Sequence, residues 1–403
     1  MALLKLLAVF AVMIGLIVIK QPLYVAAPAA ALVCWLLFGI PFQRGIDAIV
    51  ARIFSTSTLQ LLLVMYFITF MQEMIKKRNG IDQSQKALTR MFNNNWITCT
   101  VAPFIIGLLP AAPAVFVSGD VIDRAVGDRL DNGQKATAAS FFRHLSEAFM
   151  PTYPAILTAL ALTGMSTGGF VLGMLPLMII MVLIGCFFLY RGRVPVKADG
   201  EPSKNKALDL KEFVGGVWPI FVAIILIVGF GVNTTLAIGL VTVVFVFLGK
   251  FSFEEIKPFF RTAFQPKIIV QTLAVYMFSA VLGASGVIKE LPGFFENLPI
   301  PTFMVFMLIC FFGAIVAGSL TMTTTMLPLA FETIPNAGIP LLCLLMSTIY
   351  AAMQISPTHV CLTLSCEKFK VPLSSLIKNT IPIILTFLVV TVLYYLGLTA
   401  IGI

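Results

Sequence analysis

Two stretches hold most of the residues able to bind or ionise within otherwise apolar sequence: FFRHLSEAFMPTYPAILTAL (141–160) and YAAMQISPTHVCLTLS (350–365). Each carries proline inside a helical apolar pattern, Pro151 and Pro154 in the first and Pro357 in the second. Proline removes a backbone donor and clashes with the preceding turn, so each helix must break there. A break exposes N–H groups at the new helix start, where an anionic group is stabilised, and carbonyls on the other half-helix, which suit a cation. Thr152, Tyr153, Ser356, Thr358 and His359 sit at these breaks and are candidate solute contacts. Upstream of the first break, Arg143 and Glu147 stand four residues apart with His144 between them. That spacing permits an ion pair, and ionisable groups in apolar segments are costly unless paired or functional. His144 and Glu147 are therefore candidates for proton coupling; a structural ion pair is the plainer reading.

Two further apolar stretches are interrupted in a different way. Val101–Asp120 reads VAPFIIGLLPAAPAVFVSGD, and Gly313–Glu332 reads GAIVAGSLTMTTTMLPLAFE. Irregular backbone at membrane depth survives only where protein or a water-filled cavity satisfies it. Both stretches read as re-entrant hairpins, the second with its tip at Gly318-Ser319. Candidate contacts at the first are Pro110, Ala112, Pro113 and Ser118; at the second they are Ser319, Thr321, Thr323, Thr324 and Thr325. Hydroxyls beside exposed carbonyls suit a sodium ion or an anion, although threonines in helices also bond back to their own backbone. Asp120, Asp123 and Glu332 read as solvated hairpin ends.

The rest of the chemistry is thin. Two histidines, His144 and His359, exclude a histidine-rich metal site, and no metal site or cofactor is implied beyond sodium as a coupling ion. The seven cysteines have no CxxC pairing and read as small buried hydrophobes. An intramembrane enzyme would need a nucleophile beside a base or two close carboxylates, which few intramembrane acids can supply. The net charge of +9 does not require nucleic acid, because charge bias in membrane proteins mostly reports topology.

These residues must be positioned by helices in a bilayer. Of 403 residues, 59% are hydrophobic and 11% charged. Soluble domains have about 25% charged residues, and no soluble core hides this much apolar surface. Ten segments are able to span: about 2–19, 22–40, 57–75, 137–164, 169–190, 213–230, 232–249, 268–288, 340–364 and 373–400. The first is read as a span, since no small-residue cleavage site follows it. Residues 191–211 form the longest hydrophilic stretch and read as a solvated cytoplasmic linker. With both interrupted stretches re-entrant, 22 Lys and Arg fall on the linker's side and 4 on the other, as the positive-inside rule requires.

The halves also resemble each other. At an offset of 206, Gly107 meets Gly313, Ser118 meets Thr324, and Pro151-Thr152-Tyr153 meets Pro357-Thr358-His359; at 210, Gly39 meets Gly249 and Tyr66 meets Tyr276. The sequence therefore predicts an all-α polytopic membrane protein of two inverted repeats, 1–190 and 212–403, each with five transmembrane helices and one hairpin. The hairpins fall at about 95–126 and 302–336, and the broken helices at about 137–164 and 340–364. Five crossings per half place both termini in the periplasm. Inverted repeats around a midplane site are a recurrent plan of secondary transporters. Phe42–Phe54 and Phe251–Phe264 mix charges with large apolar residues and read as interfacial helices.

Ser140–Ile156 (SFFRHLSEAFMPTYPAI) and Ile355–Phe369 (ISPTHVCLTLSCEKF) resemble the two most characteristic stretches of the integral-membrane family designated domain of unknown function 401. The expected elements are N-x-W-F-R-H-x-x-E-like leading to P-x-Y-P, and S-P-x-H-x-C-L-like. The first hairpin departs from the family's glycine-rich tip, reading PAAP at 110–113. The family is similar to the ion-transporter superfamily, which includes gluconate, citrate and C4-dicarboxylate permeases and divalent anion/sodium symporters. The resemblance implies a scaffold domain, often homodimeric, and a mobile transport domain moving in an elevator-like way. The expectation is an inner-membrane secondary transporter of a small organic anion, not an enzyme, coupled to sodium or protons. A cation/proton antiporter, a channel and a receptor are the alternatives.

Overall fold

The computed structural model describes residues 2–19, 21–108, 114–197, 203, 205–287, 299–334, 336–357 and 359–402. Among them the chain is helical, with no strand beyond one isolated bridge between Asn94 and Lys197. The first half runs α1 (Ala2–Val18), α2 (Leu23–Phe38), α3 (Phe42–Ile53), α4 (Thr56–Lys77), α5 (Gly80–Phe92), α6 (Asn95–Gly107), α7 (Ala114–Val126), α8 (Asn132–Phe149), α9 (Pro154–Thr163) and α10 (Thr167–Tyr190). The second half runs α11 (Lys206–Ile224), α12 (Thr234–Leu248), α13 (Phe253–Ala263), α14 (Pro266–Ala284), α15 (Thr302–Ala317), α16 (Ser319–Thr333), α17 (Ile339–Met353), α18 (Val360–Phe369) and α19 (Leu373–Ala400). Four helical stretches are long and apolar enough to cross a bilayer alone: Thr56–Lys77, Thr167–Tyr190, Lys206–Gly229 and Leu373–Ala400. With the shorter apolar helices beside them, they make the chain a multi-pass membrane protein.

The order of elements repeats. In each half two apolar helices precede a short amphipathic one, and a hairpin, a broken helix and a long apolar helix follow. The halves also pack reciprocally. α2 and α3 lie against α14, while α12 and α13 lie against α4. The matched tyrosines mark this exchange: the Tyr66 hydroxyl donates to the Phe260 carbonyl at 3.4 Å, and Arg52 lies 4.4 Å over the Tyr276 ring. The second arm of each hairpin packs on the second half of the other repeat's broken helix, α16 on α9 and α7 on α18.

Ion pairs join segments that the charge reading places on one face. Arg78 holds Glu255 at 2.9 Å, Arg90 holds Asp209 at 2.8 Å and also pairs with Glu212, and Lys368 pairs with Asp120. The capping box of Ser252 and Glu255 starts α13 and presents that carboxylate to Arg78.

Two features differ from the sequence reading. α5 occupies residues to which the sequence reading gave no element, between the span at 57–75 and the first hairpin; its Ser84 donates to the Phe213 carbonyl at 2.7 Å, and its buried Ala87 lies one turn on. Its polar residues hid a helix whose apolar stripe is narrow and packs on α11. Nor is the start of the linker simply solvated. The Asn95 amide donates to the Val196 carbonyl at 2.9 Å, and the Trp96 indole to the Val194 carbonyl at 2.8 Å, which fixes the chain beside the first hairpin.

Candidate functional site

Both broken helices break where proline dictates. α8 ends at Phe149 and α9 restarts with Pro154 at its first position and Tyr153 as N-cap. α17 ends at Met353 and α18 restarts after His359, which is its N-cap. Tyr153 and His359, matched at the 206-residue offset, thus hold the same position in each repeat. The corners are tied to the hairpin arms beside them. The Tyr153 hydroxyl donates to the Gly107 carbonyl of α6, and the Ser356 hydroxyl to the Ile315 carbonyl of α15 at 2.6 Å.

The N-terminal end of α18 meets the buried end of α8. Arg143 and His144 are 1% and 0% exposed. The His144 Nδ1 lies 2.6 Å from the Ser140 carbonyl. A carbonyl only accepts, so Nδ1 carries the proton and Nε2 of the neutral ring accepts. That Nε2 faces an Arg143 guanidinium N–H at 3.1 Å and the His359 Nε2 at 3.0 Å, so both must donate to it. Glu147 completes the cluster, its carboxylate 3.6 Å from Arg143 and 3.8 Å from the His144 Nε2. Cys361 lies 3.8 Å from the guanidinium. The ligating atoms of His144, His359 and Cys361 fall within 4.8 Å of one another. However, Arg143 contacts both His144 and Cys361, and its fixed charge opposes a second cation at that centre.

A cavity of about 200 Å³ adjoins the cluster, with Glu147, Tyr153 and Tyr350 on its wall. Ser319, the first residue of α16, reaches the same space from the hairpin tip, where Gly318 turns the chain at φ 86°. That conformation suits glycine, and the expected Gly318-Ser319 tip is where the chain reverses.

The other candidate residues are distributed unevenly. Thr321, Thr323, Thr324 and Thr325 are buried within α16. Thr324 and Thr325 donate to the Thr321 carbonyl at 2.9 and 2.8 Å, and Thr323 lies 3.9 Å from the Met346 sulfur. Ser118 donates to the Ala139 carbonyl at 2.8 Å, joining α7 to α8. The Thr152 hydroxyl is buried at its corner without a hydrogen bond among the described residues. Pro110, Ala112, Pro113 and Thr358 lie outside the described residues. The sequence reading missed Tyr350 as a wall residue and weighed Arg143 only as the partner of Glu147. Tyr350 sits within an unbroken apolar helix and carried no signal; Arg143 beside His144 did.

The structure is similar to the crystal structure of the Alcanivorax borkumensis YdaH transporter, a protein of unusual topology, with a TM-score of 0.62 and 11% identity over 89% of this chain and 88% of that one. No curated protein matches the sequence. Over residues 2–398 the sequence matches the model of the family described as protein of unknown function (DUF401), and the chain belongs to that family.

Proposed function

We propose that the protein is a secondary active transporter that moves a small organic anion across the inner membrane with a proton, by alternating access. The observation that carries this reading is the meeting of the two broken helices, where His359 contacts the Arg143–His144–Glu147 group beside a cavity that the hairpin tip also reaches. Arg143 and His144 face Glu147 from its own helix, Tyr153 at the corner and Tyr350 on α17 share its cavity wall, and His359 and Cys361 at the start of α18 lie against His144 and Arg143. With Glu147 ionised, its charge offsets that of Arg143. A proton on Glu147 leaves the site net positive, and a solute anion restores neutrality. One proton and one negative charge then travel together. Threonine hydroxyls suited to sodium donate instead to their own helix, which favours protons as the coupling ion.

The hairpins, the broken helices, α10 and α19 pack on one another and form the mobile body in this reading, while α1–α4 and α11–α14 form the scaffold and the homodimer contact. The YdaH transporter has this fold, which supports transport over enzymatic chemistry. A second reading, exchange of an organic cation for protons, has one observation in its favour: Glu147 is the charged side chain on the cavity wall.

Proteoliposomes separate these readings, using a solute found by a thermal-shift screen of organic acids with and without sodium. An inward proton gradient is expected to drive accumulation by the native protein. Glu147→Gln should keep exchange of labelled for unlabelled solute and lose that accumulation. If Glu147→Gln still concentrates solute against its gradient, proton coupling at this residue is wrong.

A further inference from the structure

We infer that this structure is the cytoplasm-open state of the transport cycle, in which water and solute reach the site along the exposed faces of α7 and α18; this rests on the inverted-repeat transport reading above. The opposite state forms when α7 packs on α4 and α18 on α14, in place of α9 and α16. Four helices lead away from the site. By the charge partition, α7 and α18 run toward the linker's side, where Arg124 and Lys368 stand, while α9 and α16 run toward the other. Their packing is unequal. α9 lies against α4 and α16 against α14, the two helices that carry the matched tyrosines, whereas α7 and α18 pack on α8 and on each other.

Positions matched by the 206-residue offset differ in burial in the same sense. Phe116 and Val117 of α7 are each 37% exposed, and their matches in α16, Met322 and Thr323, are 1% and 0%. Thr363 of α18 is exposed, while its match in α9, Leu157, is buried. Over their whole lengths α9 exposes no residue, and α16 exposes only Glu332 near its end. The open face of α18 is also polar. His359, Thr363 and Glu367 follow at four-residue steps, so they share one side of the helix, and His359 is the half-buried partner of His144. An acid and a hydroxyl on that side suit water better than lipid, and they mark a wet path from the cytoplasm to the site.

Two copies of one unit can make either set of contacts with the same kind of geometry. The unequal packing therefore describes one of two available arrangements rather than a fixed difference between the halves. A symporter returns empty after releasing its solute, so it reaches both arrangements without solute bound.

Reaction of single cysteines with a permanently charged methanethiosulfonate, in membrane vesicles of known orientation and without solute, tests the inference. Val117→Cys, Thr363→Cys, Leu157→Cys and Thr323→Cys are made in a Cys361→Ala parent, because the other six native cysteines are buried. Each is taken only as a protein that is monodisperse and melts natively. In inside-out vesicles, positions 117 and 363 are expected to react at least about tenfold faster than 157 and 323, as when the opposite state is the minor one. In right-side-out vesicles, 157 and 323 are expected to react slowly from the periplasm. Thr363→Trp adds bulk to a face that is open here and closed in the opposite state. It should leave the melting temperature unchanged and abolish the periplasmic reaction of Leu157→Cys. Equal rates at matched positions, no reaction of 117 and 363 from the cytoplasmic side, no periplasmic reaction at 157, or a reaction there that survives Thr363→Trp overturns the inference. Each of these outcomes leaves proton coupling at Glu147 standing, since that reading falls only if Glu147→Gln still accumulates solute.

Discussion

At the scale of the residue, what distinguishes this site is the direction of its hydrogen bonds. The Ser140 carbonyl fixes the His144 tautomer, and the His144 Nε2 then accepts from Arg143 and His359 together. Protonating His144 would set three cationic or donor groups against one another, so Glu147 is the better placed to change charge. Arg143→Gln and His359→Ala are each expected to abolish uptake in protein that still inserts normally. Thr324→Ala removes a bond to the Thr321 carbonyl of its own helix, and is expected to hold uptake within about twofold and to cost about 1 kcal/mol or less. Uptake assays on membranes matched for protein content check all three. The two histidines and their unusual neighbours were legible in the sequence. Their contact was not, because it joins positions 215 apart through the packing of α18 on α8.

Elements place these groups through close approaches that single residues permit. A Cβ on Gly107 would lie 2.0 Å from the Arg143 carbonyl, so the first hairpin packs backbone to backbone against the helix that carries the site. Gly107→Val should force the two apart, with a loss of about 1–3 kcal/mol and a lower melting temperature in detergent. A second test concerns the end of α4. Hydrogen bonding to Arg78, with help from the Ser252 amide, holds the Glu255 carboxyl down at about 2, against an ordinary 4.5. Its folded value lies below the unfolded one, so the stabilisation is complete above about 4.5 and fades as pH falls toward about 2. The gap in melting temperature between native protein and Glu255→Gln should therefore be largest near neutrality and shrink in acid. Proline and small polar residues announced the breaks and hairpins. α5 went unread, because much of its surface is polar and its partner, α11, begins more than a hundred residues later.

For the whole molecule, the reciprocal packing of α3 on α14 and of α13 on α4 is the relation expected of two copies of one unit. If the second copy is inverted, an odd number of crossings separates the central linker from each terminus. A C-terminal alkaline phosphatase fusion is then expected to be active and a C-terminal green fluorescent protein fusion dark, while a cysteine placed at Arg193 reacts only with reagents that reach the cytoplasm. A fluorescent C-terminus would break the inverted arrangement. Charge partition predicted this orientation, and the Arg78–Glu255 and Lys368–Asp120 pairs join segments that it assigns to a common side.

Composition and proline placement, by themselves, determined that the chain lives in a bilayer, where its helices break, and where its second hairpin turns. These are local matters: hydropathy sets the solvent, and a missing N–H or a glycine sets the backbone. Tertiary structure alone decided which broken ends meet, that Arg143 and two histidines share one centre, and that Tyr350 faces the same cavity as Ser319. Those contacts depend on helix rotation and on crossing between the two halves. Hydropathy cannot specify either, because in lipid an apolar residue facing a tail and one facing a neighbouring helix read alike.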